Sequence, residues 1–221
     1  MEKIMEFFEF KQCVSLLKST GKKAKNLREL RDAIAVVSDE SIFHHTYQYF
    51  LKGHILEYTN DFAHWAGESL EERALAERLS NIDPYAFKNI DELRQELLNV
   101  IDIYLENFPE PREAMIGDEF YFNETITLTF PVGIRVKNLA ESLIAVKYID
   151  AAAIYYHFYE ARVRLGVDDF SKWIEDSLDK KDLSEKIRAI DPFMHSIEGI
   201  RDHIIETVEK DVRTEMEAIE R

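Results

Sequence analysis

Side chains with chemical capacity fall into two clusters. His44 and His45 are adjacent, His54 and His64 follow closely, and Asp61 stands three residues before His64. An i, i+3 spacing puts Asp61 and His64 on one helical face. His45, His54, Asp61 and His64 are residue types that hold a divalent metal. A di-iron carboxylate bundle, however, needs paired Glu-x-x-His motifs on facing helices, and zinc needs convergent Cys or His at finger-like spacings. Neither pattern occurs, so no metal and no cofactor is expected. The second cluster is Arg162 and Arg164. Guanidinium forks match a phosphate or carboxylate, which makes both arginines candidates for an anionic ligand. Ion pairing competes with that role, because Glu160 precedes Arg164 by one helical turn and Asp168 and Asp169 follow. Cys13 has no flanking histidine to activate it. Phosphate-loop, dinucleotide, nucleophile-elbow and His-Glu-x-x-His motifs are absent. No catalytic residue is expected, and the chain leans away from being an enzyme.

The elements that must position these residues recur along the chain. Asp61-Phe62-Ala63-His64-Trp65 leads to Ile82-Asp83-Pro84, and Asp169-Phe170-Ser171-Lys172-Trp173 leads to Ile190-Asp191-Pro192. Upstream, Ile42-Phe43-His44-His45 matches Ile154-Tyr155-Tyr156-His157, and Phe8 and Phe10 match Phe120 and Phe122 at the same offset. The pattern reads as a tandem duplication: one module over 1–108, a linker over 109–118 stiffened by Pro109 and Pro111, and a second module over 119–221. Residues kept in both halves are those a module needs in order to fold. These are His45, Asp61, Trp65, Asp83 and Arg94, with His157, Asp169, Trp173, Asp191 and Arg201. The expected role of His45 and His157 is a buried hydrogen bond, and Arg94 and Arg201 are expected to tie back to the Asp-Pro turns. Residues present in one half only are the candidates for ligand binding: His44, His54, His64, Arg162 and Arg164.

Each half begins with an extended stretch, Phe8–Leu16 and Phe120–Phe130, where apolar and small polar residues alternate. Pro131-Val132-Gly133 reads as the turn of a small hairpin. Asn26 and Asn138 are placed to cap helices over 27–38 and 139–148. An aromatic helix is expected over 40–56 and another over 150–165, each apolar on every side. Asn60 or Asp61, and Asp168 or Asp169, cap the helix carrying each tryptophan. Ser69-x-x-Glu72 reads as a capping box for a helix over 70–80, and Asn89-x-x-Glu92 for one over 90–107. The final helix runs from Ser196 to about 219. The expected class is therefore mainly α, a tandem duplication of a roughly five-helix module, each copy with a short extended N-terminal segment.

Composition narrows the partners. A net charge of −15 disfavours polyanionic nucleic acid and anionic membrane surfaces. The single cysteine rules out an intramolecular disulfide and suits a reducing compartment. No apolar run approaches the ~20 residues of a membrane span, and residues 1–10 lack a signal-peptide core. A cytoplasmic location is expected.

The paired Asp-Phe-x-x-Trp and Ile-Asp-Pro blocks, together with the stretch His157-Phe158-Tyr159-Glu160-Ala161-Arg162-Val163-Arg164-Leu165, give the chain a family likeness. It resembles an uncharacterised family of acidic, mostly helical bacterial and archaeal proteins, a domain of unknown function, over essentially its whole length. The resemblance implies an established domain and carries no catalytic residues with it. The expected function is that of a non-enzymatic helical interaction or adaptor protein, with a protein partner or self-association. The alternative is a small-molecule or anion-binding protein using a cleft between the two modules.

Overall fold

The computed structural model describes residues 6–48, 57–192 and 194–219. Strand is far more extensive than the two short leaders expected. β1 runs Phe8–Ala24 and β2 runs Phe120–Val136, 17 residues each. They pair with each other as a two-stranded antiparallel sheet. Thr125, Thr127 and Thr129 supply the β-branched side chains that favour a pleated strand. No hairpin forms at Pro131-Val132-Gly133. Gly133 takes a positive φ of 80° within β2, as Gly21 does at 73° within β1. Only glycine enters that region at little steric cost, so each strand continues through its glycine instead of turning there.

Helices account for the rest of the order. α1 spans Leu27–Ile34, α2 Asp39–His45, α3 Asp61–Glu68, α4 Arg73–Ser80 and α5 Ile90–Asn107. After β2 come α6, Leu139–Tyr148, and α7, Ala151–Tyr155. α7 continues through a π-helical turn, Tyr156–Glu160, into α8, Ala161–Leu165. Then follow α9, Asp169–Leu178, α10, Lys181–Arg188, and α11, Ile197–Ile219. The mainly α expectation is thereby corrected. With 18% strand beside 57% helix the class is α+β. Nor does the chain divide into two tandem five-helix modules. One compact unit, here the central unit, is Ser15–Thr127; the other, here the terminal unit, joins the residues up to Val14 to those from Leu128 onward. Each strand begins in one unit and ends in the other. Sequence patterning hid this, because strand partners far apart in the chain leave no periodic trace.

Local capping follows residue chemistry. Asn26 accepts the Glu29 N–H at 3.0 Å and Asn138 accepts the Glu141 N–H at 2.9 Å. Asn60 and Asp168 do the same for Ala63 and Ser171, and Asn89 for Glu92. The expected Ser69–Glu72 capping box does not form. Ser69 closes α3, and Glu72 precedes α4 with no side-chain cap. α1 stops at Ile34 rather than 38. Arg94 from α5 donates to the carbonyls of Ile34 and Val37 at 2.6 and 2.9 Å and meets Asp39 at 2.5 Å. Arg201 from α11 does the same for α6, donating to Val146 and Ile149 at 2.7 and 2.6 Å and pairing with Glu198. These arginines cap helix C-termini that would otherwise leave carbonyls unpaired. They do not reach the Asp-Pro turns assigned to them above. Asp83 instead accepts the Tyr85 N–H at 2.9 Å, while the carbonyls after Asp83 and Asp191, those of Pro84 and Pro192, take the hydroxyls of Tyr47 and Tyr159.

Candidate functional site

The most organised cluster of polar chemistry in the terminal unit centres on His157, in the π-helical turn. Its Nδ1 lies 2.8 Å from Asp169 Oδ2 on α9. Its Nε2 accepts the backbone N–H of Lys11 on β1, also at 2.8 Å. An N–H donor facing Nε2 requires that nitrogen to be unprotonated, so the neutral ring carries its proton on Nδ1 and donates it to Asp169. Burial pushes the His157 pKa down, against the opposing pull of Asp169. A neutral imidazole with both nitrogens committed is a fastener for a strand. It has no lone pair to offer a substrate.

The central unit holds the same arrangement. His45 Nδ1 lies 2.6 Å from Asp61 Oδ2, and Nε2 accepts the Asn123 N–H of β2 at 3.0 Å. The tryptophans act a turn beyond each aspartate. Trp173 Nε1 donates to the Glu6 carbonyl at 2.9 Å, and Trp65 Nε1 to the Asp118 carbonyl at 2.6 Å. Between these two polar contacts the strands drive phenylalanines into the helices. Phe8 stacks on Phe170 at 5.3 Å and lies 4.8 Å from His157. Phe120 stacks on Phe62 at 5.2 Å and lies 4.8 Å from His45. Phe10 and Phe122 meet the histidine rings edge-on, both at 5.8 Å.

His44 sits beside this cluster. Its Nδ1 lies 2.9 Å from Thr125 Oγ1 and 3.1 Å from Gln48 Oε1. His44, His45 and Asp61 bring one ligand atom each to within 4.8 Å of one another. The hydrogen bonds oppose a metal there. Coordination through His45 Nδ1 would force the ring proton onto Nε2, directly against the Asn123 N–H. His64 is exposed, edge-on to Tyr58 at 5.7 Å, and contributes no atom to this group. His54 lies outside the described residues.

The two candidate arginines part company. Arg162 is mostly buried, its guanidinium 4.2 Å above the Phe158 ring. It donates to the Arg188 carbonyl at 3.0 Å and stands 3.7 Å from the buried Asp168 carboxylate, whose pKa burial pushes up. Arg164 is half-exposed, packs over Tyr156 and donates to Asp169 at 3.1 Å rather than to Glu160. It borders an open groove of about 300 Å³ with Lys11, Tyr156, Lys172 and Trp173. Cys13 is buried, and burial raises its pKa to about 12, the opposite of an activated thiol.

The repeat marks out His45, His157, Trp65 and Trp173 but not what they hold. Their partners are the main chain at Glu6, Lys11, Asp118 and Asn123. The available signal was the shared i, i+2 spacing of Phe8 and Phe10 with Phe120 and Phe122. Backbone atoms carry no sequence identity, so their use is invisible until the strands are placed.

No curated protein matches the chain. Among solved structures, that of OrfY from Thermoproteus tenax is similar, with 31% sequence identity, a TM-score of 0.80, and coverage of 95% of this chain and 97% of that one. The family model described as a family of unknown function, DUF5752, matches residues 5–209. The chain belongs to that family.

Proposed function

We propose that this protein is a non-enzymatic interaction or adaptor protein of the cytoplasm, acting through association with a protein partner or with itself. The observation that carries this is how the reactive side chains are spent. His45, His157, Arg94, Arg201, Trp65 and Trp173 all bond main-chain atoms. Such groups stabilise a frame, and hydrogen bonds to main-chain atoms occupy the atoms that would otherwise serve chemistry. Surface chemistry supports the same reading. Val14, Leu16 and Leu17 on β1, and Ile126, Leu128 and Phe130 on β2, are exposed. Exposed apolar side chains on strands of a two-stranded sheet are available for protein contact. Among the described residues no helix is long and apolar enough to cross a membrane.

A second reading has one observation in its favour. The groove beside Arg164 and Lys11 has the size of a small-ligand site, and its lining mixes Lys11, Arg164 and Lys172 with Glu6, Glu9, Asp169 and Asp176, which suits a small polar molecule carrying both donors and acceptors. Native mass spectrometry of protein purified without chelators separates the two. The interaction reading expects a mass above the 26.0 kDa of one chain, or a co-purifying polypeptide. A single chain carrying a retained small molecule or metal overturns it.

A further inference from the structure

The two strand-holding sites, compared atom by atom, are two solutions to one recognition problem. In the terminal unit the bound segment is Glu6-Phe7-Phe8-Glu9-Phe10-Lys11; in the central unit it is Asp118-Glu119-Phe120-Tyr121-Phe122-Asn123. Both offer a carbonyl to an indole, at 2.9 and 2.6 Å. Both then place a phenylalanine among a phenylalanine, a histidine and a tryptophan. The ring separations are 5.3, 4.8 and 5.5 Å for Phe8 and 5.2, 4.8 and 5.7 Å for Phe120. Two residues on, Phe10 and Phe122 lie 6.2 and 6.3 Å from the same helical phenylalanine, and both are fully buried. The next residue gives its N–H to the histidine, at 2.8 and 3.0 Å.

What differs between the segments is also informative. Glu9 and Tyr121, between the paired phenylalanines, are not buried. Lys11 and Asn123 are read through backbone N–H, and Glu6 and Asp118 through backbone carbonyl. The site therefore reads two aromatic side chains at i and i+2 and two main-chain atoms that any residue can supply. An extended strand carries successive side chains to opposite faces, so the intervening side chain is left unread. Side chains around the site also vary between units, with Tyr156 beside His157 and His44 beside His45. The reading set of His, Asp, Phe and Trp is constant.

We infer that each helical frame is a recognition site for an extended Phe-x-Phe segment, filled in this chain by its own strand and able to accept the same segment from a partner polypeptide in exchange. This goes beyond the interaction reading above and uses different residues from the exposed strand surface. A tethered segment competes at an effective concentration of order millimolar, so a free peptide gains the site only when the resident segment is weakened.

The test uses the full chain with Phe10→Ala and a fluorescein-labelled peptide Asp-Glu-Phe-Tyr-Phe-Asn, followed by fluorescence anisotropy. The expected result is binding to Phe10→Ala at least about tenfold tighter than to the unaltered chain, with the control peptide Asp-Glu-Ala-Tyr-Ala-Asn failing to bind. Equal behaviour of the two peptides on folded Phe10→Ala overturns the inference. Should circular dichroism show Phe10→Ala unfolded, the segment exchange E6D/F7E/E9Y/K11N decides. It writes the central unit's segment into the terminal unit. A melting temperature within about 5 °C of the parent supports interchangeable recognition, and unfolding like that of Phe10→Ala refutes it. An assembly in native mass spectrometry combined with failure of both peptide tests would leave the interaction reading standing and remove this one.

Discussion

Replacing His157 with phenylalanine isolates the polar half of the strand fastener. The ring remains, with its neighbours Phe8 at 4.8 Å, Tyr156 at 5.0 Å and Phe170 at 5.7 Å, so no cavity opens. Both nitrogens are lost. The Lys11 N–H, part-buried, loses its acceptor, at a cost of about 1–2 kcal/mol. Asp169 loses one donor but keeps Arg164, a smaller loss of about 0.5–1 kcal/mol. The expected destabilisation at pH 7 is about 1.5–3 kcal/mol, or a melting temperature lower by about 3–12 °C for a chain of this size. The effect should depend on pH. Burial holds the folded His157 pKa below its ordinary value of 6.5, so below that pH the unfolded chain takes up a proton more readily than the folded one. His157 then contributes stability that is full above pH 6.5 and lost as pH falls through the folded pKa. The phenylalanine variant has no such dependence, so its deficit relative to the parent shrinks between pH 7 and pH 5. Guanidinium unfolding followed by tryptophan emission at both pH values gives the difference. A variant within about 0.5 kcal/mol of the parent at pH 7, or a deficit that does not shrink with acid, refutes the assignment of His157 as a neutral strand acceptor.

Further outcomes follow from the same geometry. Arg162→Ala leaves the buried Asp168 without its cation and the Arg188 carbonyl without a donor. It should cost about 2–4 kcal/mol in a thermal shift assay, whereas the half-exposed Arg164→Ala should cost under about 1 kcal/mol; equal losses would sink the distinction. Cys13, with its pKa pushed up to about 12, should react with an aromatic disulfide reagent at pH 8 only after denaturant is added. Rapid labelling of the native chain would show that the thiol is open. Gly67→Ala should destabilise by about 1–3 kcal/mol, because a Cβ there would lie 2.3 Å from Tyr58 Oη. An unchanged melting curve would mean that Tyr58 moves aside freely.

Much of the local structure was legible in the residues. Helix starts at Leu27, Leu139, Asp169 and Ile90 follow from Asn26, Asn138, Asp168 and Asn89, because a short polar side chain satisfies first-turn N–H groups within its own neighbourhood. The end of α1 was not legible. It depends on Arg94, 60 residues away in the chain from the Ile34 carbonyl it caps. The Ser69–Glu72 pattern misled because a capping box needs a backbone that Glu71, at a φ of 54°, does not adopt.

By itself the sequence determined that the chain is acidic, carries one unactivated thiol, lacks known catalytic motifs, and places His, Asp and Trp at matching positions in its two halves. These are properties of composition and of short spacings, which act over a few bonds. Tertiary structure alone decided that the two extended stretches are 17-residue strands paired with one another, that the compact units take an end of each strand, and that the histidines hold strand backbone. Antiparallel pairing joins the strand that begins at Phe8 to the one that begins at Phe120 through main-chain hydrogen bonds that every non-proline residue can make. No pattern of side chains records that choice, so it appears only when the strands are in place.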